Sequence, residues 1–315
     1  MKTFLFSIFL LLLMKAPAQD KFHKYAVKYF NFVSQQQKLK MAYLYEKSSA
    51  PNGKTVILLH GKNFSGSYWT ETISKLLEKG YNVLAPDQIG FGMSSMPACY
   101  QYSFQQLAFN THQLINSLGI TNEIVLGHSM GGMLAVRYAL MYPQDCSQLI
   151  LEDPIGLEDW KLTVPYSTID DEYKTELNTT SATLKKYMLQ NYFHNEWKND
   201  YDKLLDESSK NLGDSAYAWN MAETSDMIFT EPVCYEFNSI KVPTVLMIGL
   251  FDRTAIGKDK VDAETASMLG DYPALGKKTE ALIPQCKLIE LKGIGHIPHI
   301  EDFSMFIQNL LKVIQ

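Results

Sequence analysis

The chain has 315 residues, of which 46% are hydrophobic and 20% are charged, and its formal net charge at pH 7 is -5. This length fits one large α/β domain that carries an insertion. Without a basic patch, a run of like charges or a low-complexity tract, the composition does not indicate a nucleic acid or an anionic membrane as a partner.

The first eighteen residues have the pattern of a secretory signal peptide. Lys2 precedes an apolar run over residues 4–14, and an Ala-x-Ala cleavage site ends at Ala18. The apolar run is shorter than the roughly 20 residues that span a bilayer, so a permanent membrane anchor is not expected. We predict that residues 1–18 are removed and that the mature protein is exported, to the periplasm or the medium.

Hydrophobic periodicity predicts strands that alternate with helices along most of the chain. Two strands are predicted within residues 25–47, and a helix over 301–314 ends the chain. Between them, the predicted elements are a strand over 55–59, a helix over 68–78, a strand over 81–85, a helix over 102–118, a strand over 122–126, a helix over 132–140, a strand over 149–153, and strands over 243–249 and 286–291. This alternation favours a doubly wound, mostly parallel α/β sheet, here of eight strands.

Residues 155–233 interrupt the alternation with a stretch that is rich in charged residues, helix formers and aromatic rings. We predict that they form a helical cap inserted after the sixth strand, on a core built from residues 19–154 and 234–315. Some of the rings should line an apolar pocket, while roughly two thirds form the cap's own core. Residues 254–284 are too long for a plain connection, which predicts a functional loop or an additional helix.

The most informative motif is Gly127-His128-Ser129-Met130-Gly131, which lies between a predicted strand and a predicted helix. A G-x-S-x-G pattern alone is weak, because a chain of this length contains one by chance about once in ten. In this position, however, the small residues allow a sharp turn that presents the Ser129 hydroxyl above the sheet. We therefore predict that Ser129 is a nucleophile; the alternative is an ordinary turn that contains a serine.

A serine hydroxyl needs a base and an orienting acid to react at neutral pH. Asp252 follows one late predicted strand and His296 follows the next, so both lie past the carboxyl ends of strands, where open α/β sheets bind their ligands. We predict Asp252 as the acid and His296 as the base. His299 is an alternative base, and Asp153, at the end of an earlier strand, is an alternative acid.

Five motifs together resemble those of the α/β-hydrolase superfamily, in its cap-bearing, esterase-like serine hydrolase branch. The chain order Ser, Asp, His is the one found in that superfamily, and the resemblance covers about residues 38–315. It implies a hydrolase of carboxylic esters or related acyl compounds that uses neither a metal nor a cofactor. The motifs are His60-Gly61, Asp87 to Gly92, Gly127 to Gly132, Asp252, and Gly295-His296.

The resemblance also implies how an oxyanion would be stabilised, which is by backbone N–H groups. One is the amide of Met130 at the start of a helix, where the helix dipole favours an anion. Matching the loop after His60-Gly61 assigns the second amide to Lys62, with Asn63 as the next candidate. The residues expected to line the substrate pocket are Phe64, Tyr100, His128 and Trp160.

The four cysteines Cys99, Cys146, Cys234 and Cys286 fit no metal-binding spacing. Cys146 and Cys286 are predicted at the starts of strands that are not neighbours, too far apart for a disulfide bond. Cys99 and Cys234 both lie toward the cap, and an oxidising compartment would permit a bond between them. Buried free thiols are the alternative.

The sequence thus predicts an exported serine hydrolase that cleaves a small or medium carboxylic ester, or a lactone, by two-step acyl transfer. Its expected partner is a small-molecule ester, with no nucleic acid and no stable membrane anchor after signal cleavage. A carbon–carbon bond hydrolase with the same triad is one alternative. A ligand-binding homologue that has lost the chemistry is another.

Overall fold

A mixed sheet of eight strands forms the centre of the computed structural model, which describes residues 24–314. The predicted signal peptide, residues 1–18, lies outside the described residues. The strands are β1 (Lys28–Ser34), β2 (Gln37–Glu46), β3 (Thr55–Leu59), β4 (Asn82–Pro86), β5 (Glu123–His128), β6 (Cys146–Glu152), β7 (Thr244–Gly249) and β8 (Cys286–Leu291). Their spatial order is β1-β2-β4-β3-β5-β6-β7-β8.

Strand β2 pairs antiparallel with both β1 and β4, and the other pairings among the described strands are parallel. Every residue of β3, β5 and β7 is buried, as expected for parallel strands covered by helices on both faces. The edge strand β1 instead alternates between exposed and half-buried residues. The predicted fold class, a doubly wound and mostly parallel α/β sheet, is confirmed.

Helices cover both faces of this sheet and bury a separate apolar core on each. The α-helices are α1 (Thr70–Glu78), α2 (Phe104–Ser117), α3 (Met130–Met141), α4 (Ile169–Asn178), α5 (Ser181–Asn191), α6 (Asp202–Ser209), α7 (Ser215–Thr230), α8 (Ala263–Met268), α9 (Tyr272–Leu282), α10 (Pro298–Glu301) and α11 (Phe303–Val313). Residues of α2 and α3 belong to one core, and residues of α1 and α11 belong to the other.

Helices α4 to α7 lie between β6 and β7, within the stretch predicted as the cap (residues 155–233). The side chains of Thr180 and Thr183 form a capping box that starts α5, and Leu184 and Met188 are the buried residues of that helix. By contrast, α4 has no buried residue. It packs against α7, where the Tyr173 ring meets the Trp219 ring edge-on at 5.6 Å.

Several element boundaries differ from the prediction for local reasons. Helix α1 starts later than residue 68, because residues 66–69 form a 3₁₀ turn. Helix α11 starts at Phe303 rather than at residue 301, because the Asp302 side chain accepts the Met305 N–H as an N-cap. The long connection over 254–284 contains α8 and α9. Across residues 24–314, no helix is long and apolar enough to cross a membrane.

Candidate active site

The sharp turn between β5 and α3 determines the position of Ser129. Its backbone has a φ of 56° and a ψ of -122°, an uncommon conformation for a residue other than glycine. The turn also brings the start of α3 against β3, since a Cβ added to Gly131 would lie 2.2 Å from the backbone oxygen of Leu59. Only glycine fits at this position. The side chain of Ser129 therefore leaves the sheet at the carboxyl end of β5.

Ser129, His296 and Asp252 form a continuous hydrogen-bonded chain. His296 Nε2 lies 2.9 Å from Ser129 Oγ, and His296 Nδ1 lies 2.7 Å from Asp252 Oδ2. Ser129 is 6% exposed, and the other two residues are fully buried. Because the carboxylate accepts the Nδ1 proton, Nε2 is left with a lone pair that can accept the Ser129 proton. The structure thus brings together the three residues predicted as nucleophile, base and acid.

The loop that carries His296 is held from two sides. The backbone N–H of His296 donates to the carbonyl of Tyr192 in the cap at 2.9 Å, and the His296 ring stacks on the Tyr192 ring at 4.7 Å. Glu301 accepts the backbone N–H groups of Gly295 and Ile297, both at 2.9 Å. Burial raises the pKa of the Glu301 carboxyl to about 7. Sequence reasoning missed Glu301, because no motif marks a carboxyl that binds only backbone amides.

The structure places the alternative base and acid elsewhere. His299 stacks on Trp69 at 4.1 Å, and its Nδ1 and backbone N–H both donate to Glu152 Oε1, at 2.9 Å and 3.0 Å. Asp153 Oδ1 accepts the backbone N–H of Gly249 at 2.8 Å. Burial and the nearby charge of Asp252 raise the pKa of Asp153 well above its ordinary value. Neither side chain is hydrogen-bonded to Ser129 or to His296 in the described residues.

Met130 and Lys62, whose backbone amides are expected to form an oxyanion hole, both lie in segments next to Ser129. Met130 is the first residue of α3, so its N–H has no acceptor within the helix. Lys62 and Asn63 line the same cleft as Ser129. The loop before them passes close to the nucleophile, since a Cβ added to Gly61 would lie 3.1 Å from the Ser129 Cβ. The Lys62 ammonium pairs with Glu176 of α4, which leaves the amide as the group of Lys62 that can face an oxyanion.

A buried histidine fixes the start of that loop. His60 Nδ1–H donates to the Gly61 carbonyl at 2.8 Å, and His60 Nε2 accepts the Gln88 N–H at 2.9 Å. Burial lowers the pKa of His60 to about 4, so the ring is neutral at physiological pH. His60 therefore ties the loop after β3 to the loop after β4. The sequence pattern included His60 in a motif but did not predict this role.

A cleft of about 650 Å³ opens above Ser129, between the core and the cap. Trp160, one of the four residues expected in the substrate pocket, lines this cleft. Phe64 instead lines a second cavity, of about 250 Å³. Tyr100 and His128, which were also predicted to line the pocket, do not line this cleft. Tyr100 is buried between Ser34 and Asn110, to both of which its hydroxyl is hydrogen-bonded, and His128 is fully buried beneath the nucleophile turn.

The wall of the cleft has an apolar part and a charged part. Apolar and aromatic residues from the cap form one part of it, namely Ile155, Trp160, Val164, Tyr192, Ile228 and Phe229. Charged residues line another part, including Lys62 and Glu176 together with Lys260 and Glu172, which form two ion pairs between α4 and the core. A ligand with an apolar body and a polar end would match this division.

The four cysteines are free thiols in the structure. Cys99 is exposed and Cys234 is partly buried, and both are free, so the bond considered between them is not formed. Cys146 begins β6 and Cys286 begins β8, with β7 between them, which confirms that they start strands that are not neighbours. Within residues 24–314, no group of three or more histidine, cysteine or acidic side chains is arranged to hold a metal ion.

A serine–histidine–aspartate chain at the carboxyl edge of a mostly parallel sheet defines the class of α/β-sheet hydrolases. The protein belongs to the α/β hydrolase fold family, whose profile matches residues 54–303. A solved structure of a probable hydrolytic enzyme from Pseudomonas aeruginosa PAO1 is 47% identical, with a TM-score of 0.91 over 93% of this chain and 95% of that one. The protein is therefore a hydrolase.

Two curated relatives are similar along most of the chain. Lipase 3 from Moraxella sp. (strain TA144) is 27% identical over 283 residues, which is 85% of this chain and 82% of the relative. Lipase 1 from Psychrobacter immobilis is 27% identical over 271 residues, which is 82% of this chain and 76% of the relative. The similarity thus extends well beyond the motif around Ser129.

Proposed function

We propose that this protein is an exported serine hydrolase that cleaves a small or medium carboxylic ester, or a lactone, through an acyl-enzyme. The observation that carries the proposal is the buried chain from Ser129 Oγ through the His296 ring to Asp252, with distances of 2.9 Å and 2.7 Å, at the floor of a cleft. The similarity to two proteins named as lipases supports an ester as the substrate.

The proposed reaction is an acyl transfer in two steps. Ser129 Oγ attacks the ester carbonyl carbon while its proton passes to His296 Nε2, and Asp252 stabilises the resulting imidazolium. The tetrahedral oxyanion binds the amides of Met130 and Lys62. The alcohol leaves with the proton from His296, and water then repeats the sequence to release the acid and regenerate the Ser129 hydroxyl.

The lining of the cleft supports the proposed substrate class. Trp160, Ile228 and Phe229 offer an apolar surface for an acyl group, and the volume of about 650 Å³ is in the range of pockets that hold small molecules. The charged residues at the opening favour a polar leaving group or a polar acid end. Export is proposed from the signal-like pattern of residues 1–18.

A panel of p-nitrophenyl esters of increasing acyl length, together with simple lactones, tests this function. The wild-type protein should hydrolyse short and medium chains, and Ser129→Ala should lower kcat by about 10⁴-fold or more. Ser239→Ala, at an exposed serine, is the matched control and should retain wild-type rates. Turnover that survives Ser129→Ala would contradict the mechanism. Hydrolysis of vinylogous diketones without hydrolysis of esters would show that the enzyme cleaves a carbon–carbon bond rather than an ester bond.

A further inference from the structure

A buried hydrogen-bonded path joins the oxyanion loop to the backbone of His296. The backbone N–H of Gly61 donates to Tyr68 Oη at 2.9 Å, and Tyr68 Oη lies 3.1 Å from His128 Nδ1. On the other side of the ring, His128 Nε2 lies 2.7 Å from the carbonyl oxygen of His296. Tyr68 is 4% exposed and His128 is fully buried. Neither residue lines the cleft above Ser129.

Each donor and acceptor along this path has only one consistent role. A carbonyl oxygen can only accept, so His128 Nε2 carries the proton and Nδ1 is the lone-pair acceptor. The Tyr68 hydroxyl therefore donates to Nδ1 and uses its oxygen to accept the Gly61 N–H. Burial, together with the neighbouring His296 and His299, lowers the pKa of His128 well below its ordinary value, so its ring stays neutral. Burial also raises the pKa of Tyr68, which keeps its proton.

We propose that Tyr68 and His128 are positioning residues that hold the oxyanion loop and His296 in a fixed relation across the nucleophile turn. The path from Gly61 through Tyr68 and His128 to His296 is called the Tyr68–His128 relay here. Gly61 directly precedes Lys62, and His128 directly precedes Ser129, so the relay connects the three segments that must align for acyl transfer. This inference rests on the proposed function, because it assigns a role within the same reaction.

The physical argument concerns small displacements at buried sites. A buried N–H or ring nitrogen that lacks a hydrogen-bond partner carries an uncompensated desolvation cost. Every polar group along the path therefore has its partner only when the segments that carry them are correctly positioned relative to one another. A misplacement of about 1 Å can cost about 10²-fold in rate even when the substituted residue is remote from the chemistry. Substrate affinity should change little, because neither side chain lines the cleft.

Tyr68→Phe in the mature protein tests the relay, because it removes one oxygen and keeps the ring. We expect kcat for a p-nitrophenyl ester to fall by about 10- to 100-fold while KM changes by less than about threefold. The rate of inactivation by a fluorophosphonate should fall in proportion. The matched control is Tyr138→Phe, which removes a buried hydroxyl bonded to Glu123 at the far end of α3. It should lose stability and retain kcat within about twofold.

His128→Gln provides a second, independent variant. The glutamine amide can still donate to the His296 carbonyl, but it lacks the ring nitrogen that accepts from Tyr68. Because the two substitutions break one path, the double variant should be no more than about threefold slower than the slower single variant. Effects that multiply would overturn the relay, as would a folded Tyr68→Phe protein that retains the wild-type kcat.

The arrangement can also be measured on the wild-type protein, in case a variant does not fold. The ¹⁵N chemical shifts of the His128 ring should show a neutral imidazole with its proton on Nε2. A proton on Nδ1, or a charged ring, would overturn the relay. These outcomes are separate from failure of the proposed function, which would appear as a wild-type protein that neither hydrolyses esters nor reacts with fluorophosphonate.

Discussion

The two walls of the cleft are held by different forces. On the core side, Ser129, His296 and Asp252 are at most 6% exposed and are bonded to one another. On the cap side, α4 has no buried residue and is joined to the core by the Lys62–Glu176 and Lys260–Glu172 pairs, whose side chains are 16–33% exposed. Exposed ion pairs contribute only about 0–1 kcal/mol each, whereas breaking buried hydrogen bonds costs more. Buried contacts therefore fix the reacting groups, including those of His296 with Tyr192 of the cap, whereas α4 forms a partly exposed part of the cleft wall.

The largest effect should follow the removal of the base. We expect His296→Ala to lower kcat by about 10⁴- to 10⁶-fold, because Ser129 then has no proton acceptor. Adding Ser129→Ala should cause little further loss, since the two residues act as one unit. Steady-state kinetics of the single and double variants, with folding checked by circular dichroism, measures this. Losses that multiply would mean that the two residues act independently.

Substitution of the acid should have the next largest effect on kcat. Asp252→Asn should lower kcat by about 10⁴-fold, because an amide cannot hold His296 in the required tautomer. Asp153→Asn is the matched comparison, since burial and the nearby charge of Asp252 raise the pKa of its carboxyl well above the ordinary value and it is not hydrogen-bonded to His296. It should change kcat by less than about tenfold. The opposite order of effects would assign the acid to Asp153.

A smaller effect should appear in the pH dependence of stability. Burial raises the pKa of Glu123 from 4.5 to about 7, so the folded state holds a proton that the unfolded state releases between these values. The folded protein therefore loses stability as the pH rises through that window. Glu123→Gln keeps the acceptor for the Tyr138 hydroxyl but cannot ionise. Relative to the wild type, the free energy of unfolding of the variant should rise by about 2–3 kcal/mol between pH 5 and pH 8.

Urea unfolding at the two pH values measures this difference. Because the other buried carboxyl groups are present in both proteins, their contributions cancel in the comparison. Glu264→Gln, at an exposed position in α8, is the control and should shift by less than about 0.5 kcal/mol. A Glu123→Gln protein with the same pH dependence as the wild type would show that Glu123 is ionised in the folded state at both pH values.

The smallest effects should follow changes in the cap. Glu172→Gln and Glu176→Gln should each change the free energy of unfolding by less than about 1 kcal/mol. They should leave kcat for a short ester within about twofold and change kcat/KM for a bulky ester by a few-fold, because the opening is altered but the reacting groups are not. A loss of kcat of about 100-fold for the short ester would show that these cap residues also position the reacting groups, which would contradict the distinction drawn between the two walls.

The sheet and the triad could be predicted because their signals are local. The apolar runs before Ser129 and Asp252 form buried strands, and the run before His296 forms the half-buried edge strand β8. Parallel strands place their carboxyl ends at one edge of the sheet. The strained turn at Ser129 needs small residues within the motif itself. These features can be recognised in short segments of sequence.

The supporting groups could not be predicted, because their partners are distant in sequence. His128 binds a carbonyl 168 residues away, and Glu152 binds His299 across 147 residues. Tyr100 is an aromatic residue on a loop, as pocket residues often are, yet its hydroxyl is hydrogen-bonded to Ser34 and Asn110. Composition indicates that an aromatic ring will be buried somewhere, but only the packing of distant segments determines whether it lines a cleft.

The most direct test of the central claim, that Ser129 is an activated nucleophile, is to locate a covalent label. The purified protein is treated with one equivalent of a fluorophosphonate, digested, and analysed by tandem mass spectrometry. The account predicts a single phosphonate on Ser129 that is lost in His296→Ala at equal reagent exposure. A label on another residue, or no label on the folded protein, would contradict the account.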